Sequence, residues 1–244
     1  MDRQRREAEK AFVLHRHPFR DSSQIIDVFS RNYGRLALVA RGVRSRRSRY
    51  RGVLAPFMPL ELSWSIRGDL GTLTAAEPVG RPVTLGGDAL FAGFYVNELL
   101  LRLTHRHDPH PEVFSDYAMV IGALSDAERI DATLRVFEFR LLKNLGYGVH
   151  LQHDIVSGSA LAPDGLYRVR PTEGPLPVSS ASGGGLIFSG AELSAIAEEK
   201  LDDSTVRRAA RRIARAAIDI CLDGQELKTR KVMYAIRDSR RAKK

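Results

Sequence analysis

The sequence predicts an α+β protein, a small N-terminal β-barrel followed by a helical domain with a small irregular insertion, and three patterns carry the prediction. Short apolar runs rich in Val, Ile, Leu and Phe fill the first 80 residues, helical spacing takes over after Pro82, and a Gly, Pro and Ser-rich stretch at about 146–190 interrupts the helices. With 244 residues and 43% apolar content the chain can bury two cores, and the change of pattern puts the domains at 1–82 and 83–244.

The first five runs are AFVLHRHPF, IIDVFS, RLALVARGV, LELSWSI and LTAAEPV, bounded by Gly, Pro and Asn as strands are. Asn32-Tyr33-Gly34 turns the second into the third, and Arg67-Gly68-Asp69 turns the fourth into the fifth. Five short strands with a long connection after the third suit an OB-fold or an SH3-like barrel, which strand count does not separate. Apolar residues then recur at helical spacing in ALFAGFYVNELLLRLT, VFSDYAMVIGAL and ATLRVFEFRLLKNL, with Asp88, Pro111 and Asp131 at the expected starts. The 146–190 stretch reads as an irregular excursion with a hairpin at LYRVRP, and helices return in GAELSAIAEEKL, TVRRAARRIARAAIDICL and ELKTRKVMYAIRD.

Charge is segregated along the chain. Residues 1–56 hold fourteen Lys/Arg against five Asp/Glu, 207–244 hold thirteen against four, and the middle holds eleven against twenty, giving +9, +9 and −9. Two strongly basic blocks suit a polyanion such as nucleic acid. The density peaks in RGVRSRRSRYRG, where Arg41, Arg44, Arg46, Arg47, Arg49 and Arg51 follow the third strand. Guanidinium groups fork onto phosphates without reading sequence, so these six, with Arg35 on the strand before them, are candidate DNA contacts. Six single-strand phosphate contacts would give a log-log salt slope of about −4. Tyr50, inside the run, is the ring expected to be exposed for base stacking, whereas Phe19, Phe29, Tyr33, Phe57 and Trp64 are assigned mostly to the core. Arg207, Arg211 and Arg215 repeat at i, i+4 and i+8 with Arg208 and Arg212 beside them, a basic helix face that either meets DNA or is solvated.

Other chemistry is weakly represented. Cys221 is the lone cysteine, which excludes an intramolecular disulfide and a cysteine zinc site and fits a reducing cytoplasm. No apolar run approaches a membrane span, and no phosphate-binding, dinucleotide-binding, nucleophile-elbow or HExxH motif occurs. The string THRHDPHPE gathers His105, His107, Asp108, His110 and Glu112 and supports a rival reading as a metal-dependent nuclease. Its aspartate is displaced from the usual hydrolase order, so a polar interhelix loop is the expectation, with no metal and no cofactor. A second rival is an adaptor whose basic regions serve RNA or protein. The pairs Glu198-Glu199 and Asp202-Asp203 read as solubilising rather than catalytic.

Laid out this way, the chain resembles the RecO family of bacterial recombination mediators from about Ala11 to Arg237. The strings that carry the resemblance are AFVLHRHPFRDSSQIIDVFSRNYGRLALVARGVRS, APFMPLEL, FYVNELLLRL, LRVFEFRLLKNLGYGV and LDGQELKTRKVM, in that order. The resemblance implies an N-terminal OB-fold, a helical C-terminal domain and a non-enzymatic protein that binds single- and double-stranded DNA and anneals complementary strands. It implies action on strands coated by single-strand-binding protein and, with RecR, help in loading RecA during repair, in the cytoplasm and at the nucleoid. Family members hold the acidic C-terminal tail of single-strand-binding protein, and the LRxFE string transfers that role to Leu134, Arg135 and Phe137. Many members also carry a four-cysteine zinc site after GYG, whereas VHLQHDIVSGSALAPDGLYRV has no cysteine, so zinc is not expected there.

Overall fold

A computed structural model describes residues 4–45, 48–181 and 184–241. Its elements are β1 (Gln4–Phe19), β2 (Ser23–Ser30), β3 (Gly34–Ala40), β4 (Leu60–Arg67), β5 (Leu70–Pro78), α1 (Gly87–Leu103), α2 (Pro111–Ala123), α3 (Ile130–Asn144), β6 (Leu166–Arg170), β7 (Gly174–Val178), β8 (Ile187–Ser189), α4 (Gly190–Ala197), α5 (Ser204–Cys221) and α6 (Lys228–Arg241). Among the described residues no helix is long and apolar enough to cross a membrane.

Strands β1 to β5 close into a barrel in the order β1-β2-β3-β5-β4. β1 pairs antiparallel with both β2 and β4, β2 with β3 and β4 with β5 likewise, and the parallel β3–β5 pair closes the barrel. This is the Greek-key connectivity of an OB-fold, which settles what strand count left open. β1 has 16 residues and begins seven residues before its apolar run, because the polar segment before Ala11 still pairs with β4, Lys10 opposite Glu61. Gly68, at φ +75°, and Asp69 make the two-residue turn between the paired residues Arg67 and Leu70. The barrel is filled by Val13, Ile26, Val28, Leu36, Leu38, Leu62 and Trp64, all at most 1% exposed.

Helices α1 and α2 cover one side of this barrel. Phe12 of β1 meets Phe114 and Tyr117 of α2 at ring-centroid distances of 5.4 and 4.9 Å. A buried polar chain joins the three elements, the Tyr117 hydroxyl donating to Asn97 Oδ1 at 2.8 Å and Asn97 Nδ2 donating to the Leu14 carbonyl at 2.9 Å. Leu14 is the residue skipped in the β1–β2 register, a bulge whose carbonyl Asn97 satisfies. Burial holds the Tyr117 phenol far above its ordinary pKa, so it stays a donor.

The compact units divide between Ala127 and Glu128. One holds the barrel, α1, α2 and α6 from Thr229, and the other runs from Glu128 to Lys228. Composition changes near residue 82 because strands give way to helices there, yet α1 and α2 pack with the strands that precede them. In the second unit the 146–190 excursion carries more structure than its composition suggested. The expected hairpin is β6–β7, and β8 adds to make a sheet of order β7-β6-β8. Tyr167, Val169 and Phe188 of that sheet share a core with Leu193 and Ile196 of α4 and Ala209, Ala210 and Ile213 of α5.

The helix starts follow local chemistry. Pro111 occupies the first turn of α2, where its missing N–H costs nothing, while Asp88 and Asp131 lie in the first turns of α1 and α3 rather than capping them. Ser189 and Glu192 form a reciprocal capping box on α4, and Asp203 accepts from the Thr205 and Val206 amides at the start of α5.

Candidate nucleic-acid interface

The loop that follows β3 is built to display arginine. Gly42, at φ +67°, breaks the strand, and turns closed by Ser45 N–H to Gly42 O, Ser48 N–H to Ser45 O and Arg51 N–H to Ser48 O carry the chain onward. Tyr50 and Leu54 enter the barrel core, and Val43, Val53 and Met58 pack against it. The polar positions between these anchors face outward, so Arg41, Arg44, Arg49 and Arg51 are exposed. Arg46 and Arg47 lie outside the described residues.

Tyr50 corrects the stacking expectation. Its ring is 6% exposed, and its hydroxyl donates to the Thr74 carbonyl at 3.2 Å. The guanidinium of Arg49 lies 4.8 Å from the ring centroid and donates to both the Tyr50 hydroxyl and Thr74 O at 2.7 Å. Tyr50 therefore roots the loop in the barrel and offers no face to a base. Among the other rings, Phe29, Phe57 and Trp64 are buried as expected, and Tyr33 and Phe19 are half-buried.

Arg35 is likewise a structural cation. Its Nε and Nη2 donate to the Thr104 carbonyl at the end of α1, at 3.3 and 2.9 Å. Partial burial lowers its pKa, repulsion from Arg106 adds to this, and Asp27 opposes it. By contrast, Arg20 is an exposed candidate that the arginine run alone does not reveal. It sits exposed in the β1–β2 turn, two residues from Ser22, whose carbonyl accepts the Arg44 N–H at 3.0 Å. No local pattern marks Arg20, since only the barrel brings its turn to the loop.

The α5 face is partly neutralised by its own unit. Arg211 donates to Asp131 Oδ1 at 2.6 Å, Arg207 lies 3.9 Å from the other oxygen and caps the Leu201 and Asp202 carbonyls, and Arg215 pairs with Asp219. Arg208 stays exposed, its Nη2 3.3 Å from the Thr205 hydroxyl, and Arg212 lies over Phe188. The acid pairs also have structural work: Glu199 forks onto Arg140 at 2.6 and 2.7 Å, and Asp203 caps α5.

The residues transferred to partner-tail binding are interior. Leu134 is 6% exposed, Phe137 2%, and Arg135 7%. The Arg135 guanidinium is held by Glu138 at 2.9 Å and by Asp131 at 3.9 Å, so it is a buried paired charge rather than a surface cation beside a groove. The sequence hides this because the LRxFE spacing puts Arg135 and Glu138 at i, i+3, where they pair.

In the 105–112 string, His110 pairs with Asp108 at 3.2 Å, and the segment docks on the barrel through His107 N–H to Arg35 O at 2.9 Å. Imidazole and carboxylate groups converge elsewhere, at His15, His17 and Asp27 on β1 and β2.

Two family models match the chain, Recombination protein O N terminal over residues 4–81 and Recombination protein O C terminal over residues 86–231. The DNA repair protein RecO of Dechloromonas aromatica (strain RCB) is 39% identical over 235 residues, 95% of this chain and 97% of the relative. That of Halorhodospira halophila (strain DSM 244 / SL1) is 41% identical over 235 residues, 95% and 98% of the two chains. That of Vibrio parahaemolyticus serotype O3:K6 is 40% identical over 224 residues, 92% and 91%.

Proposed function

The chain belongs to the RecO family of DNA repair proteins, and from that membership and the arginine loop we propose that it binds DNA through phosphate contacts and anneals complementary strands. The carrying observation is the loop, whose Arg41, Arg44 and Arg51 are exposed and, among the described residues, make no side-chain hydrogen bond or ion pair. Arg20 extends this strip, and Arg46 and Arg47 belong to it by sequence. Guanidinium forks on a rooted loop hold a backbone without choosing a sequence, as a repair protein acting at arbitrary lesions requires. Arg208 of α5 is proposed as a secondary contact.

Annealing brings two polyanions together, and screening by fixed cations lowers that repulsion with no nucleotide and no covalent step. Family membership supports extending the reading to strands coated by single-strand-binding protein, to a RecR partner and to RecA loading. Recognition of the acidic tail cannot use Arg135 as a free surface cation in the arrangement described above.

The test is annealing of complementary oligonucleotides precoated with single-strand-binding protein, without ATP, read by fluorescence quenching. Acceleration that high salt abolishes is the expected result. Strand cleavage on adding a divalent metal would instead favour the nuclease reading, and binding that prefers matched RNA would favour the adaptor.

A further inference from the structure

We propose that His15, His17 and Asp27 form a binding site for a divalent transition-metal ion of the zinc class on the outer face of the barrel. His15 Nδ1 lies 3.0 Å from His17 Nε2, and His17 Nε2 lies 3.1 Å from Asp27 Oδ2. All three ligand atoms fall within 4.8 Å of one another. Ligands bound at about 2.0–2.2 Å and separated by 90–110° stand about 2.8–3.6 Å apart, a range that includes the His15–His17 and His17–Asp27 separations.

The barrel's geometry produces this convergence. Residues two apart on a strand share a face, so His15 and His17 of β1 project together. The bulge at Leu14 then sets the register that brings Asp27 opposite His15. Without that one-residue shift the carboxylate would be out of step with the imidazoles. Asp27 is 7% exposed, and its second oxygen, Oδ1, faces Arg106 Nη2 at 3.7 Å, which orients the carboxylate and leaves Oδ2 to the histidines.

Protons serve this cluster poorly. His17 Nε2 carries at most one hydrogen in a neutral ring, yet it faces both an imidazole nitrogen and a carboxylate oxygen. A cation between them would be met by three lone pairs at once. Two imidazoles and one carboxylate make a neutral-plus-anionic donor set suited to zinc, cobalt or nickel, with the remaining coordination positions toward solvent because both histidines are exposed. None of the three ligands belongs to the 105–112 string, whose Arg106 reaches Asp27 only through the other carboxylate oxygen.

Equilibrium dialysis of the full chain against Zn2+, with the visible absorption of a Co2+ complex as a second readout, tests the proposal. The parent is expected to take up one equivalent and to gain thermal stability with it. His15→Asn with His17→Asn should abolish both signals, and Asp27→Asn should weaken binding about tenfold or more. A control carrying His105→Asn, His107→Asn and His110→Asn should bind as the parent does. The proposal is overturned if the parent binds no metal, or if uptake survives the His15 and His17 changes. Because DNA annealing is read separately, failure here leaves the proposed function standing.

Discussion

Gly34 lies against the backbone of Asp108, where a Cβ built on the glycine would sit 2.1 Å from the Asp108 carbonyl oxygen. The same glycine is at φ +63° and opens β3 after the Asn32-Tyr33 turn. Two requirements meet at one residue, a left-handed backbone and a close approach by the segment after α1. Gly34→Ala is expected to cost more than about 2 kcal/mol, since neither backbone can yield without breaking the barrel contact. Urea denaturation of parent and variant measures it, and a loss under about 0.5 kcal/mol would mean that the segment is not held there.

Tyr50 offers a clean separation of rooting from stacking. Tyr50→Phe keeps the buried ring and loses both hydroxyl bonds, to Thr74 and from Arg49, so stability should fall by about 1–2 kcal/mol with DNA affinity nearly unchanged. Tyr50→Ala empties part of the barrel core and should cost about 3–5 kcal/mol. If the ring stacked on bases, the alanine variant would lose single-strand affinity without losing stability, which thermal melts beside fluorescence anisotropy would reveal.

Two kinds of arginine should behave differently in salt. Replacing Arg41, Arg44 and Arg51 together with alanine is expected to flatten the single-strand salt slope by about 2 units, near 0.7 per phosphate lost, with little change in stability. Arg35→Ala should do the reverse, leaving the slope alone and weakening the fold, because Arg35 serves the Thr104 carbonyl. Binding isotherms over a salt series distinguish them, and equal slopes for the triple variant and the parent would remove the loop from the interface.

Asp203 gives stability a pH signature. The Thr205 and Val206 amides hold its carboxyl below the ordinary carboxylate pKa, so its contribution is complete above the unfolded value near about 4 and fades as pH falls through the lower folded value. Asp203→Ala should lower the melting temperature at neutral pH, and the gap to the parent should narrow in acid. A gap constant from pH 7 down to pH 2.5 would rule out the cap as its origin.

Much of this was legible because periodicity reports burial. Strands β2 to β5 were visible since each buries one face or both, whereas the first half of β1 was not, its residues being polar and its pairing with β4 set by barrel closure. The arginine loop was legible as composition, but Tyr50 was misread, because a ring inside a charged run looks exposed until Thr74 and the core are placed around it. Arg135 differs for another reason: the resemblance assigns it to a partner-binding surface, and Glu138 one turn away holds it inside. The His15, His17 and Asp27 cluster depends on a bulge and a cross-strand register, neither of which is written in any short stretch of sequence.

Glu98 of α1 receives both the N–H and the hydroxyl of Thr229, at 2.9 and 2.6 Å, where α6 returns to the first unit. The unit that begins with the barrel thus includes residues synthesised after the whole of 128–228. A ribosome releases the barrel and α1 long before it makes α6, so Thr229 reaches Glu98 only after the translation of an entire intervening unit. Arrested nascent chains ending before residue 229 should hold a closed barrel whose α1 is still protease-sensitive.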